Sequence, residues 1–197
     1  MVPQKLLSDR GGAFRNCIKN QVIFFEGDKP GFYYQIVQGS IRLVSVNENG
    51  REFIDGIFRT GESFGEPALL TDELYPVSAV ANENTLLIKI RKEEFIKILK
   101  EFPEIHFRFT NILAKRVYNK SLIAKAISIN EPERRVLSIF KILKNIYGVP
   151  GLKNYKVELS RQQIADMIGF RIETVIRTIK RLEKKDIFKI QKGKIYL

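Results

Sequence analysis

From Gln21 to about Ile90 the chain alternates short runs of β-branched and aromatic residues with turn residues: VIFFEGD, GFYYQIVQGSIRLVSVNENGREFIDGIF, RTGESFGE and VSAVANENTLLIKI. Gly27-Asp28, Gly39 and Gly61 punctuate at intervals close to one strand length, and Asn49-Gly50 is a strong hairpin signal because both residues tolerate positive φ. Several short strands at this spacing predict a small all-β roll, packed by Phe24, Phe25, Tyr33, Tyr34, Phe53 and Phe58. Residues 1–20 read as a helical or irregular lead. At Lys92 the period changes to that of a helix. RKEEFIKILKEFP is a short amphipathic helix stopped near Pro103. EIHFRFTNILAKRVYNKSLIAKAISI then runs about 25 residues without Pro or Gly, which predicts one long helix.

Within that helix Ile105, Phe109, Ile112, Arg116, Asn119, Ile123 and Ala126 alternate four and three apart, a heptad seam widened by Leu113 and Val117. Such a seam suits a dimer, with Arg116 and Asn119 as polar positions that fix register. The alternative is a long helix that covers its own barrel. Asn130-Glu131-Pro132-Glu133 marks a boundary, with Pro132 suited to a first helical turn. EPERRVLSIFKILKNIY at 131–147 predicts a helix burying Val136, Ile139, Phe140 and Leu143. The loop GVPGLKNYKVEL leads to SRQQIADMIGFRIETVIRTIKRLEKKD at 160–186. That stretch reads as two short helices around Gly169, the first capped by Ser160. The second buries Val175, Ile179 and Leu182, and its other face offers Arg171, Glu173, Thr174, Arg177, Lys180 and Arg181. This is the pattern of a helix-turn-helix whose second helix enters a DNA major groove; an ordinary solvated helical hairpin is the plainer alternative. Two strands about Lys192-Gly193 complete a small wing, with Lys189, Lys192 and Lys194 available to phosphates.

Charge sharpens this picture. The chain of 197 residues carries a formal charge of +12, of which residues 130–197, with 16 Lys and Arg against 7 Asp and Glu, hold +9. The asymmetry points to a polyanionic partner for the C-terminal part. No apolar run approaches the roughly 18 residues of a membrane span. One cysteine, Cys17, excludes an intrachain disulfide. MVPQKLLSDRGGAFRN lacks the apolar segment of a signal peptide, so a reducing cytoplasm is expected.

The order of parts, SFGEPALL at 63–70, the glycine spacing of the roll and LSRQQIADMIGFRIETVIRTIKRLEKKDI at 159–187 together resemble the cAMP-receptor/fumarate-nitrate-reductase (CRP/FNR) family of bacterial transcription regulators. The resemblance implies an α+β fold: an N-terminal β-roll of the double-stranded jelly-roll type over 1–103, a dimerisation helix over 104–129 and a winged helix-turn-helix over 130–197. It places Glu173 and Arg177 where the family reads bases, a pairing that suits cytosine N4–H2 and guanine O6/N7. Arg171 and Thr174 share that task, while Ser160, Arg161, Lys180, Arg181, Lys192 and Lys194 are assigned to phosphates. Members that read a TGTGA-type half-site carry Arg just before the Glu; Ile172 stands there instead, which favours a TTGA-like or other core. Double-stranded DNA, a second copy of the chain through Phe109, Ile112, Arg116, Asn119 and Ile123, and RNA polymerase are the implied partners.

The effector site departs from the family pattern. Gly65-Glu66 matches the pair that holds ribose and phosphate, but LYPVSAV at 74–80 offers Ser78 without the accompanying arginine. Lys120-Ser121 stands where a Thr-Ser pair contacts the purine. A buried phosphate without a cation is costly, which argues against cyclic AMP in the usual mode. One cysteine cannot supply the four ligands of an iron–sulfur cluster, and His106, the only histidine, is a poor basis for haem, so no cofactor is expected. No nucleophile–base pair, metal cluster or phosphate loop suggests an enzyme. The resulting expectation is a homodimeric regulator of a palindromic site, with any small-molecule control in the roll. The alternative is a sensing or interaction module whose basic part binds nucleic acid nonspecifically.

Overall fold

The computed structural model describes residues 1–48, 50, 52–148 and 154–197. These form two compact units, Met1–Ile112 and Leu113–Leu197, with the boundary inside the long helix.

The first unit is a roll of two antiparallel sheets. Its elements are α1 (Gln4–Asp9), β1 (Ala13–Cys17), β2 (Val22–Phe24), β3 (Phe32–Gln38), β4 (Ser40–Val46), β5 (Glu52–Arg59), β6 (Ser63–Phe64), α2 (Glu66–Thr71), β7 (Ser78–Ala81), β8 (Thr85–Arg91), α3 (Lys92–Glu101) and the start of α4 (Pro103–Ile127). One sheet has the order β1-β8-β3-β6 and the other β2-β7-β4-β5. Tyr34, Ile36 and Leu87 point between the sheets and pack with Phe24, Ile41, Phe64 and Tyr75. The alternate positions Tyr33, Ile88 and Ile90 are also fully buried, so the first sheet is covered on both faces. Tyr33 stacks on Phe95 of α3 at 4.0 Å and meets Phe109 of α4 edge-on.

Three local expectations are corrected here. The lead is helical over Gln4–Asp9 as expected, but its second half is a strand over Ala13–Cys17, paired with β8 from Ala13↔Lys89 to Cys17↔Thr85. SFGEPALL is a two-residue strand followed by a helix, because Gly65 adopts φ 79° as the N-cap and Pro67 suits the first turn. Phe25 and Phe53 do not pack the roll; they are exposed. The Asn49-Gly50 hairpin signal falls partly outside the described residues, at Asn49; Gly50 has φ 73°.

The second unit contains the rest of α4, then α5 (Pro132–Tyr147), β9 (Lys156–Val157), α6 (Arg161–Ile168), α7 (Ile172–Lys184), β10 (Lys189–Gln191) and β11 (Lys194–Tyr196). Val136, Ile139, Phe140 and Leu143 of α5 are buried as their spacing required, with Ile164, Ile168, Val175, Ile179 and Leu182 completing the core. Phe140 meets Phe188 edge-on at 5.8 Å and so anchors the wing. The wing is a three-stranded sheet, β10-β11-β9. Its third strand lies within the stretch expected to be loop; residues 149–153 of that loop lie outside the described residues.

Along α4 the ends of the expected seam are covered within their own units. Ile105 and Phe109 are buried in the roll unit, and Ala126 is buried in the second unit. Ile112, Arg116, Asn119 and Ile123 are only partly exposed. A neighbouring stripe, Phe107, Thr110, Ala114, Val117, Ser121 and Ala124, shares Val117 with the widened seam, also alternates three and four apart, and is exposed at every member. Periodicity alone could not choose between them, because a helix packed on its own domain and a helix packed on a partner have the same repeat.

Candidate nucleic-acid interface

The helix-turn-helix is fixed by its caps. Ser160 Oγ accepts from the Gln163 backbone N–H at 3.1 Å, and Gln163 Oε1 accepts from the Ser160 N–H at 2.9 Å. This reciprocal box satisfies two donors that the first turn would otherwise leave open. Gly169 ends α6 with φ 74°. Three residues later α7 begins, with Val175, Thr178, Ile179 and Leu182 buried beneath it.

What α7 leaves outside is the expected face. Arg171, Glu173, Arg177, Lys180 and Arg181 are exposed and Thr174 is partly so. Glu173, Ile176, Arg177, Lys180, Arg181 and Lys184 line a shallow groove of about 510 Å³ along the helix. Glu173 and Arg177 are four apart, yet neither makes an ion pair or a side-chain hydrogen bond among the described residues. Their polar groups are free to meet a base edge. Ile176, 38 % exposed in the middle of this charged face, was not singled out from sequence. Its signal was an apolar residue at a polar position of the helix, and thymine methyl groups are a natural contact for it.

Thr174, Arg177 and Arg181 also border a cleft of about 410 Å³ shared with Glu131, Pro132, Glu133 and Arg134 at the start of α5. The two carboxylates there are already engaged: Glu131 with Arg134 at 3.3 Å, and Glu133 with Lys185 at 2.6 Å.

The phosphate candidates separate into kinds. Lys192 and Lys194 are exposed on the wing, where Lys192 (φ 46°) and Gly193 (φ 74°) form a left-handed turn suited to a two-residue hairpin. The Ser160 hydroxyl, having accepted from Gln163, still has its proton to donate. Arg161 is different. Its Nη2 donates to the Gly193 carbonyl at 3.3 Å, and burial holds its pKa below the usual arginine value. It braces the wing turn against α6.

In the roll, Gly65 and Glu66 stand where the effector pair was expected. Glu66 is 1 % exposed, and Ser63 Oγ donates to its carboxylate. Ser78 Oγ accepts from the Glu26 N–H at 2.9 Å. The space against Gly65 is filled by aromatic rings: a Cβ there would meet Tyr75 at 3.1 Å and Phe24 at 3.2 Å. Those two rings stack at 3.6 Å. The Tyr75 hydroxyl is buried without a hydrogen-bond partner among the described residues, and burial raises its pKa far above 10. Lys120 and Ser121 belong to the second unit and are exposed on α4, with Ser121 Oγ donating to the Val117 carbonyl.

Residues 14–102 match the cyclic nucleotide-binding domain, and residues 137–197 match the Crp-like helix-turn-helix domain. A global nitrogen regulator from Nostoc is 31% identical over 183 residues, which span 90% of this chain and 81% of the relative. The chain belongs to the CRP/FNR family.

Other CRP/FNR relatives include the cyclic AMP receptor protein of Thermus thermophilus, 26% identical over 88% of this chain and 78% of that one. Among solved CRP/FNR-type folds, a mutant CooA from Carboxydothermus hydrogenoformans superposes with a TM-score of 0.82 at 17% identity, covering 98% of this chain and 85% of that one. The CRP/FNR relatives are transcription regulators, and this chain is a DNA-binding transcription regulator, not an enzyme. Among the described residues no helix is long and apolar enough to cross a membrane, and no group of three or more His, Cys, Asp or Glu gathers to hold a metal.

Proposed function

We propose that this regulator acts in the cytoplasm as a homodimer on a palindromic site, reading bases with Arg171, Glu173, Thr174 and Arg177. The observation that carries the reading is the outer face of α7, where Glu173 and Arg177 are exposed and, among the described residues, unpaired, on a helix held by a capped helix-turn-helix. Two such helices enter successive major grooves about 34 Å apart. Lys180, Arg181, Lys192 and Lys194 hold phosphates, and affinity falls steeply with salt. The second copy docks along the exposed stripe of α4, Phe107, Thr110, Ala114, Val117, Ser121 and Ala124. RNA polymerase is the partner through which such a bound dimer acts on transcription.

Cyclic AMP is not its effector in the family's usual mode, although one relative is a cyclic AMP receptor protein. Two observations support this: LYPVSAV lacks the phosphate-binding arginine, and Phe24 and Tyr75 fill the space beside Gly65. No iron–sulfur or haem group is needed for the reading.

The test is selection of binding sites from random duplex DNA by purified protein, without ligand, at near-physiological salt. A symmetric consensus with loss of binding in Arg177→Ala is expected. Binding without sequence enrichment, with and without cell extract, would instead support a module that holds nucleic acid nonspecifically.

A further inference from the structure

Arg135, in the first turn of α5, makes three contacts that join separate parts of the second unit. Its Nε donates to the carbonyl of Ile129, in the link between α4 and α5, at 2.6 Å. Its Nη1 donates to the carbonyl of Ile168, the last residue of α6, at 3.1 Å. The guanidinium also lies over the ring of Phe170, 4.2 Å from its centre, in the turn that introduces α7. The side chain is partly buried, and burial lowers its pKa.

Each contact has a physical reason. The last carbonyls of a helix lack intrahelical partners, and a cation there also meets the negative end of the helix dipole. The Ile129 carbonyl lies between two helices, where no regular ladder bond is waiting for it. An aromatic face attracts a guanidinium while leaving its edge free to donate. A planar fork can do all three together, and an ammonium cannot.

We infer that Arg135 is a positioning residue: it locks the α4–α5 link to the turn before the recognition helix, and so sets the angle of α7 relative to the end of α4. In a dimer joined through α4, that angle fixes the separation of the two recognition helices. Arg135 therefore determines which half-site spacing is bound, without touching a base. This inference rests on the dimeric, palindrome-reading function proposed above.

The experiment compares wild type, Arg135→Met, Arg135→Lys and Phe170→Leu on three kinds of duplex: a single half-site, the selected palindrome, and palindromes lengthened or shortened by one base pair. Thermal melting accompanies each. Arg135→Met should keep half-site affinity within about twofold, lose about tenfold on the palindrome, and bind the altered spacings about as well as the original. Arg135→Lys should resemble Arg135→Met. Phe170→Leu, which keeps both carbonyl bonds, should show the same change in spacing profile to a smaller degree, and it provides the test if Arg135→Met does not fold. Equal losses on half-site and palindrome, or an unchanged spacing profile in folded variants, would overturn the inference. A wild type that shows no palindrome preference would overturn the proposed function instead.

Discussion

Phe109→Ala separates two roles that the sequence allowed for one side chain. Phe109 is 3 % exposed and sits edge-on to Tyr33 and Phe95, at 6.4 and 5.4 Å between ring centres. Truncating a phenylalanine in such a site removes its transfer energy and leaves a cavity, at a cost of about 3–5 kcal/mol. The lost edge contacts are part of that figure. For a chain of 197 residues each kcal/mol moves the melting point by about 2–4 °C, so a fall of about 6–20 °C is expected. The assay is thermal unfolding at two protein concentrations tenfold apart, with sedimentation velocity on the same samples. Val117→Asp serves as the comparison, because Val117 is 66 % exposed on the outer stripe of α4. It should shift the association equilibrium toward monomer and leave the melting of the dilute protein nearly unchanged. A Phe109→Ala protein that melts within about 2 °C of wild type but sediments as a monomer would refute the packing argument and return Phe109 to the dimer seam.

Arg177→Ala should weaken binding to the selected site by about 1–3 kcal/mol and hardly affect random duplex, as read by titration of both at one salt concentration. Ser160→Ala removes one arm of the capping box and should cost about 1 kcal/mol in urea unfolding, with the loss localised by amide exchange to α6. Tyr75→Phe should be close to neutral near pH 7, because the hydroxyl it removes has no hydrogen-bond partner among the described residues. The same change should blunt alkaline sensitivity. The native phenol titrates above its ordinary value of 10.0, so the stability it contributes is intact below that pH and is lost as pH rises toward the raised native value. An alkaline melting series in which Tyr75→Phe tracks wild type would contradict this.

Much of the second unit was legible because its signals are local. Ser160, Gly169 and the Val175–Ile179–Leu182 spacing each specify their element within a turn or two. The roll was legible as a class, from strand-length punctuation, but not in detail. β1 pairs with a strand some seventy positions away, and its sequence AFRNC has one buried residue, Cys17, so periodicity had little to register. The aromatic residues were identified as packing without knowledge of which faces they share. Tyr33 and Tyr34 are neighbours in the chain but lie on opposite sides of one sheet. The α4 seam shows why the pattern leaves two readings open. A heptad repeat says that one face of a helix is covered, and it says nothing about what covers it. The stripe that remains outside, with Thr110, Ala114, Ser121 and Ala124, is too weakly apolar to stand out. Arg135 had no sequence signal, since its partners are two backbone carbonyls and a ring about 35 positions on.

The rings against Gly65 have a bearing on dose. A ligand that had to occupy the space against Gly65 would meet a form in which Phe24 or Tyr75 has swung out. Exposing one buried aromatic side chain costs about 1.5–3 kcal/mol, so that form is outnumbered about tenfold to a hundredfold or more. Apparent affinity is divided by the same factor for every such ligand, whatever its chemistry. Such a ligand would have to offset that factor through tighter intrinsic binding or higher concentration. For such a ligand, enlarging or shrinking these two rings would change how often the space is open, and apparent affinity would follow that population.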